Sequence, residues 1–277
     1  MEIRVWLKAA IRQLAGGESP KRDAEILLGF VTGRTRSWLV AYDDSLLTPD
    51  QLDRLSVLLA RREAGEPIAY LVGEREFWSF NLKVSPETLI PRPDTECLVE
   101  QGLALIDASD ADVLDLGTGT GAIALALASE RPGWRVTGVD LQPGAVQLAQ
   151  ENALRLGLTN VVFEPGSWFN SLQGKRYTLI VSNPPYIDAC DPHLSQGDVR
   201  YEPRSALVAE SSGLACLAII IGGAGEHLHP GGWLAVEHGW RQGESVRALF
   251  SQAGFGRVET RKDYGGNERV SIGLWAI

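Results

Sequence analysis

The sequence is poor in cysteine, in long apolar runs and in targeting signals. Its three cysteines, Cys97, Cys190 and Cys216, show neither a metal-ligand spacing nor a disulfide framework. No apolar run approaches the roughly 20 residues that a bilayer-spanning helix needs, and the amino terminus lacks a basic segment followed by an apolar one. These absences argue against a zinc protein, a disulfide-rich secreted protein and a membrane protein. We therefore expect a cytoplasmic chain with no bound metal and no membrane partner.

Basic charge is scarce as well. Residues 1–75 contain eleven basic and eleven acidic side chains, whereas the remaining residues contain 15 basic and 24 acidic ones, which accounts for the formal net charge of −9. Proteins that bind nucleic acid commonly carry a basic surface, because contacts to phosphate dominate their affinity. The composition therefore argues against a direct nucleic-acid partner and favours a small molecule or a protein as the substrate.

The amino-terminal residues 1–75 have the signals of a helical domain. Apolar residues recur at helical spacing, Ser19 before Pro20 is typical of a helix start, and residues 48–51 have the capping-box pattern. No cluster of candidate catalytic side chains falls in this segment. We interpret it as a domain that recognises the substrate, followed by a connector hairpin over residues 76–96.

Residues 97–277 alternate between strand and helix patterns, which is typical of a mostly parallel sheet. Strands are expected near residues 113–116, 135–140, 161–163 and 177–182, with further strands toward the carboxyl terminus. We therefore predict an α/β fold in which a Rossmann-like sheet follows the small helical domain.

A glycine loop follows the first of these strands, and an acid ends the second. The loop Gly117-Thr118-Gly119-Thr120-Gly121 comes directly after Asp115-Leu116, and Asp140 lies at the spacing of a ribose-binding acid. The pattern alone also fits a nicotinamide dehydrogenase. However, the charge of Asp115 would oppose a pyrophosphate and would favour the cationic amino group or sulfonium of S-adenosylmethionine. The sequence also has no obvious proton-relay histidine near a hydride site.

The stretch Asn183-Pro184-Pro185-Tyr186 follows the strand at residues 177–182. Two prolines without N–H groups stop the strand and stiffen the loop, at a strand end where open α/β sheets bind their ligands. The Asn183 side-chain carbonyl and a neighbouring backbone carbonyl can then accept both hydrogens of a substrate NH2 group, while Tyr186 packs against its flat face. By itself this tetrapeptide could equally be a turn.

The glycine loop, Asp140 and the tetrapeptide of residues 183–186 together resemble class I S-adenosylmethionine-dependent amino-methyltransferases. Residues 90–96 (Ile-Pro-Arg-Pro-Asp-Thr-Glu) and 198–203 narrow this resemblance to the PrmC (HemK) family, to which the chain is similar over essentially its whole length. The resemblance implies a class I methyltransferase sheet behind the helical domain. It also implies methylation of the glutamine side chain in the Gly-Gly-Gln loop of peptide chain release factors, with S-adenosylmethionine as cofactor.

Residue patterns and resemblance together assign the site. The expected cofactor site consists of Asp115, Gly117, Thr118, Gly119, Thr120, Gly121, Asp140, Trp168 and Asn183. Of these, Trp168 is placed against the adenine by the resemblance alone. The expected catalytic residues are Asn183, Pro184 and Tyr186, and the expected substrate-binding residues are Asn183, Pro184, Pro185 and Tyr186.

Several alternatives stay open on the sequence alone. The substrate could be the glutamine of a ribosomal protein, or a flipped nucleic-acid base; the acidic composition speaks against the base, and residues 92–96 favour release factors. A cofactor-binding adaptor without activity would not need the tetrapeptide. Arg92, Asp94 and Glu96 either wall a pocket or belong to the start of the next helix, where Asp94 or Thr95 is expected to cap it.

Overall fold

A computed structural model describes residues 1–276, and the chain forms two compact units. The first unit contains residues 1–74 and 192–201. The second contains residues 75–191 and the chain from residue 202 onward.

The first unit is helical. Its helices are α1 (Ile3–Gln13), α2 (Pro20–Thr32), α3 (Arg36–Ala41), α4 (Pro49–Glu63) and α5 (Ile68–Val72). Their apolar faces meet in one core that includes Trp6, Leu27, Leu28 and Leu55. Each such side chain contributes about 1.5–3 kcal/mol when it is fully buried. This packing stabilises helices that are too short to persist alone.

Two predicted helix starts in this unit differ in their capping. Thr48 and Gln51 form the predicted capping box at the start of α4, each side chain accepting from the other residue's N–H. Ser19 precedes the proline of α2, but its side chain makes no capping hydrogen bond. Its backbone, at φ −139° and ψ 60°, is not in the extended conformation from which such side chains cap a helix. The expected cap is therefore wrong.

Residues 192–201 return to the first unit. Arg62 of α4 forms ion pairs with Asp23 of α2 at 2.7 Å and with Asp198 at 2.8 Å. The return of residues 192–201 was not predicted. Arg62 and Asp198 are 136 positions apart, and a pairing over that distance leaves no signal in the local sequence.

The elements from residue 74 onward build the second unit. They are β1 (Glu74–Phe77), β2 (Phe80–Lys83), α6 (Glu96–Leu105), β3 (Asp112–Leu116), α7 (Ala122–Glu130), β4 (Arg135–Asp140), α8 (Pro143–Leu156), β5 (Val161–Pro165), β6 (Tyr177–Ser182), β7 (Ile187–Asp188), α9 (Arg204–Leu207), β8 (Val208–Ala209), α10 (Glu210–Gly213), α11 (Ala215–Ala224), β9 (Leu228–Glu237), α12 (Gly243–Gln252), β10 (Gly256–Lys262) and β11 (Glu268–Trp275). The strands β1 and β2 form a separate two-stranded sheet.

A seven-stranded sheet in the order β10-β11-β9-β6-β3-β4-β5 is the centre of this unit. The pairings among β9, β6, β3, β4 and β5 are parallel, and only β10 and β11 run antiparallel to their neighbours. This confirms the predicted α/β fold with a mostly parallel sheet. The buried β3 and β6 read as apolar runs, as strands covered on both faces do.

The strand order reverses at β3, which pairs with β4 on one side and β6 on the other. Leu116 at its end is in register with Val139 of β4 and Ser182 of β6. Three parallel strands therefore end side by side, and the residues after them emerge at one edge. Such a switch point is where open α/β sheets bind ligands.

The short strands β7 and β8 pair in parallel on either side of residues 192–201, the excursion of the chain into the first unit. Ile187 is in register with Val208, so both ends of the excursion are fixed within the second unit. The first residue after the excursion is Glu202, whose side chain is fully buried and accepts from the N–H of Ile90 over 3.0 Å. Arg92 also binds this carboxylate.

Two features are absent from residues 1–276. None of the helices there is both long and apolar enough to cross a bilayer. The same residues contain no group of three His, Cys, Asp or Glu side chains arranged to hold a metal ion.

Candidate active site

A cavity of about 330 Å³ lies at the carboxyl ends of β3, β4 and β6. It brings together most of the predicted site residues, namely Gly117, Thr118, Gly119, Thr120, Asp140, Trp168, Asn183 and Pro185. Four predicted residues are not in its lining among the described residues: Asp115, Gly121, Pro184 and Tyr186.

The glycine loop crosses the end of β3 and is held by the backbone of β4. The N–H groups of Gly117 and Thr118 both donate to the carbonyl of Val139, over 2.8 and 3.1 Å. Gly119 has a φ of +54°, and an added Cβ there would meet no atom within 4 Å. A residue with a side chain would strain this conformation and occupy that space. The loop therefore lets a ligand approach its backbone closely.

Gly121 has a different function from the one expected. It lies at the start of α7 with a φ of +82°, and an added Cβ would be 3.0 Å from the ring of Phe163 and 3.1 Å from Ala149. Its missing side chain thus allows α7 to pack beneath the loop. Gly121 is buried and serves helix packing, not ligand contact.

Asp140 lines the cavity and also organises the loops around it. Its Oδ2 accepts from the N–H of Gly119 and its Oδ1 from the N–H of Gln142, each over 2.9 Å. Burial raises the pKa of Asp140, and these backbone donors oppose that shift. Each carboxylate oxygen keeps a further lone pair, so the group can still accept from two ribose hydroxyls.

Asp115 lies behind the glycine loop. Its side chain is fully buried; Oδ2 accepts from the Thr118 hydroxyl over 2.6 Å, whereas Oδ1 has no hydrogen-bond partner among the described residues. Burial raises the pKa of this carboxyl to about 7. Asp115 is therefore not exposed at the cavity, and its contact with the cofactor stays a prediction. The Asp115 side chain supports the loop through Thr118.

The chemistry of the lining distinguishes between the two cofactors that the glycine loop allows. Arg92 is the only basic residue among the lining residues, and it is already paired with the buried carboxylate of Glu202. A pyrophosphate would thus find no free cation, and it would meet the carboxylates of Asp140 and Glu87. A cationic ligand with a ribose fits this set of donors and acceptors.

Trp168 contributes a flat apolar wall beside the glycine loop. An added Cβ on Gly117 would be 3.6 Å from Cζ3 of its ring, so ring and loop are neighbours. The backbone of Trp168 has a φ of +49°, a conformation that large side chains rarely adopt and that is often retained at ligand sites. The ring is therefore available to pack on a planar group such as adenine.

The tetrapeptide loop presents one amide to the cavity. Asn183 lines the cavity, and its Nδ2 donates to the Thr95 hydroxyl over 3.1 Å. Its Oδ1 thus remains available as an acceptor. Pro184 is buried and is not among the lining residues.

Tyr186 makes its contacts with the interior of the second unit. Its ring packs against the apolar core that lies beside β6 and β9, and its hydroxyl donates to Oε1 of Glu237 over 3.1 Å. Burial and the charge of Glu237 raise the pKa of Tyr186, which keeps the phenol neutral. Tyr186 thus helps to hold the loop, and its packing on the substrate amide stays a prediction.

Residues 92–96 serve both the cavity and the adjoining helix. Arg92 and Thr95 line the cavity, whereas the carboxylate of Glu96 accepts from the N–H of Trp78 over 2.8 Å and Asp94 pairs with Arg269 at 3.4 Å. Neither Asp94 nor Thr95 makes a capping hydrogen bond. The expected cap is wrong, because the hydroxyl of Thr95 is used by Asn183 instead.

Sequence reasoning missed Thr95, Glu202 and Glu237 as parts of the site. Glu237 ends the buried strand β9, and a carboxylate after an apolar run at a strand end is a signal that could have indicated it. Glu202 lies in a segment quoted only for resemblance, and Thr95 was expected only to cap a helix. Their partners are distant in sequence and become neighbours only in the fold.

Sheet order, glycine loop and tetrapeptide loop define a class I S-adenosylmethionine-dependent methyltransferase. Solved structures with the same fold include a methyltransferase from Pyrococcus furiosus, with a TM-score of 0.56 and 19% identity over 80% of this chain and 100% of that one. Another is the Thermus thermophilus 16S rRNA N2 G1207 methyltransferase RsmC in complex with AdoMet and guanosine, with a TM-score of 0.52 and 20% identity over 73% and 49%. Identities this low support the fold alone.

Family comparisons are more specific. The PrmC N-terminal domain matches residues 5–73, and a methyltransferase domain matches residues 107–258. The release factor glutamine methyltransferases of Salmonella typhimurium and Escherichia coli are 58% and 57% identical to this chain, each over 99% of both chains. The enzyme of that name from Pseudomonas aeruginosa is 52% identical over 95% of this chain and 96% of its own. The chain belongs to the release factor glutamine methyltransferase (PrmC) family, and its cofactor is S-adenosylmethionine.

We predict that Asp140→Ala weakens S-adenosylmethionine binding at least about tenfold, because each charge-assisted hydrogen bond contributes roughly 1.5–3 kcal/mol. The variant also loses the acceptors for Gly119 and Gln142, so its melting temperature should fall slightly. Isothermal calorimetry on the folded variant checks the affinity. An affinity equal to that of the wild type would remove Asp140 from the cofactor site.

Proposed function

We propose that this chain methylates the side-chain amide nitrogen of the glutamine in the Gly-Gly-Gln motif of peptide chain release factors. The observation that carries the proposal is the amide of Asn183, held by Thr95 so that its carbonyl oxygen stays free at the cavity. Relatives that match the whole chain are named for this reaction.

A carboxamide nitrogen is a weak nucleophile, because its lone pair is delocalised into the carbonyl group. The chain must therefore fix the substrate NH2 group and increase electron density on its nitrogen. Oδ1 of Asn183 and the backbone oxygen of Pro184 would accept its two hydrogens, which directs the lone pair and stabilises the positive charge that develops. When bound, S-adenosylmethionine supplies an electrophilic methyl group on a sulfonium. Gly119, Asp140 and Trp168 would hold the cofactor.

The substrate alternatives are less well supported. Base methylation and ribosomal-protein methylation occur among the structural neighbours, which share the fold only. The net charge of −9 does not favour a phosphate-rich substrate. We therefore expect no direct nucleic-acid or membrane partner, and we place the reaction in the cytoplasm, where release factors act in translation.

The proposal is tested with S-adenosylmethionine labelled in its methyl group. A release factor, a ribosomal protein and DNA are incubated in parallel with the enzyme, together with a release factor whose Gly-Gly-Gln glutamine is replaced by alanine. We expect label in the intact release factor alone. Label in the alanine form, or in DNA, would contradict the proposed function.

We further propose that the helical unit recognises the release factor and takes no part in methyl transfer. All lining residues of the cavity belong to the second unit. The first unit exposes apolar side chains that a protein partner could cover, including Phe30, Val40 and Val57, which are 46%, 68% and 59% exposed.

Charge placed on these apolar side chains should weaken recognition of the whole protein substrate. For Val40→Glu and Val57→Glu we expect kcat/KM on an intact release factor to fall about tenfold for a contact residue, with kcat/KM on a short Gly-Gly-Gln peptide unchanged. Leu154→Glu, at an 83% exposed position of the second unit, is the matched control. Should these variants and Phe30→Glu all use intact release factor as well as the wild type, the recognition role is wrong.

Variants of Asn183 test the catalytic loop. Asn183→Ala should lower the single-turnover rate at least about a hundredfold, since it removes an aligned group that stabilises developing charge. Asn183→Asp keeps an acceptor oxygen and the shape, so we expect an intermediate rate. Cofactor affinity should change much less than turnover in both. Transfer by the alanine variant at near wild-type rate would show that Asn183 is only a turn residue.

A further inference from the structure

The amide of Asn183 has two chemically opposite ends, and only one of them can accept a hydrogen bond from the substrate. Its Nδ2 donates to Oγ1 of Thr95 over 3.1 Å, so the carbonyl oxygen stays available. If the Asn183 side-chain amide were rotated by 180°, its NH2 group would face the NH2 group of the substrate, and neither could accept a hydrogen bond from the other. The hydroxyl of Thr95 therefore decides which end of Asn183 serves the reaction.

A hydroxyl donates as well as accepts, so Thr95 orients Asn183 only if its own hydrogen is committed elsewhere. Glu237 at the end of β9 carries a buried carboxylate oxygen that lacks a donor within residues 1–276. Its side chain is buried, its Oε1 accepts from the Tyr186 hydroxyl, and its Oε2 has no hydrogen-bond partner among the described residues. Burial raises the pKa of Glu237 to about 7, and the hydroxyl of Thr95 lowers it. A buried carboxylate oxygen needs such a donor.

Arg269 helps to keep Glu237 ionised. Its guanidinium is held by Asp263 at 3.0 Å and by Asp94 at 3.4 Å, and its charge lowers the pKa of Glu237. An ionised carboxylate can only accept hydrogen bonds. An ionised Glu237 could take the hydrogen of Thr95, and only the lone pairs of Thr95 would then face the Asn183 amide.

We propose that Thr95 is a positioning residue whose hydroxyl donates to Glu237, accepts from Asn183, and thereby presents Oδ1 of Asn183 to the NH2 group of the substrate. The inference rests on the proposed function, in which that group belongs to glutamine. It gives the site a means of selection. An acceptor at this position binds an amide and repels a carboxylate, so glutamate in place of glutamine is excluded.

The test is Thr95→Val, which keeps the shape and removes the hydroxyl. We expect the single-turnover rate on a Gly-Gly-Gln peptide to fall about a hundredfold, with S-adenosylmethionine affinity unchanged within experimental error. The Asn183 amide is then free to turn, so a Gly-Gly-Glu peptide should inhibit at least about tenfold more strongly than it inhibits the wild type.

Two matched variants distinguish a positioning role of the Thr95 hydroxyl from a packing role of the Thr95 side chain. Thr95→Ser keeps the hydroxyl and should restore both the rate and the exclusion of the glutamate peptide. Thr260→Val removes a threonine hydroxyl bonded to Arg247 and Ser271, outside the lining of the cavity, and should leave both unchanged. A wild-type rate in Thr95→Val, equal losses in the valine and serine variants, or unchanged exclusion of the glutamate peptide would each overturn the proposal.

Should Thr95→Val fail to fold, the variant Glu237→Gln tests the same proposal. Glutamine at this position can donate to Thr95 and releases its hydroxyl, so the glutamate peptide should again become an inhibitor; continued exclusion would overturn the proposal. Failure of the proposed function is recognised separately, because the wild-type enzyme would then label no release factor. Exclusion of the Gly-Gly-Glu peptide is measured as binding, so it does not depend on whether a release factor is labelled.

Discussion

The parallel pairing of β3 with both β4 and β6 is the constraint on which the site depends. These backbone pairings place the glycine loop, Asp140 and Asn183 at one edge of the sheet, whatever contacts their side chains make. Within that frame the carbonyl of Val139 holds the loop by two N–H groups. A slip of one residue in either pairing would turn the side chains of the strand to the opposite face. The geometry of the cavity is thus primarily a property of the backbone.

Buried carboxylates lie behind each loop of the cavity. Asp115 supports the glycine loop, Glu237 supports the tetrapeptide loop through Tyr186, and Glu202 holds residues 90–92. Burying such a group is unfavourable unless donors surround it. Burial raises the pKa of both Asp115 and Glu237 to about 7. These groups therefore fix loops that border the cavity.

Elements with a strong local pattern could be predicted from the sequence. Residues 135–140 form a strand, as the sequence pattern predicts, and the positions of Asn183 and Asp140 follow from the strand ends. What was missed depended on distant partners. Thr95 was expected to cap a helix, but its hydroxyl is used by Asn183, 88 positions away. Tyr186 was expected to face the substrate, and the hydrogen bond from its hydroxyl to Glu237 was not predicted. Neither partner can be identified before the fold is known.

The excursion of residues 192–201 has a consequence for how the chain can vary. Its ends are joined by the β7–β8 pairing and by the contacts of Glu202, so a change of length that keeps the Arg62–Asp198 ion pair alters only a closed loop. Doubling such a loop costs only about 0.6 kcal/mol of closure entropy. An insertion within residues 183–186 would instead displace Asn183 from Thr95. Evolution can therefore lengthen or shorten the segment that joins the helical unit while the tetrapeptide keeps a fixed length.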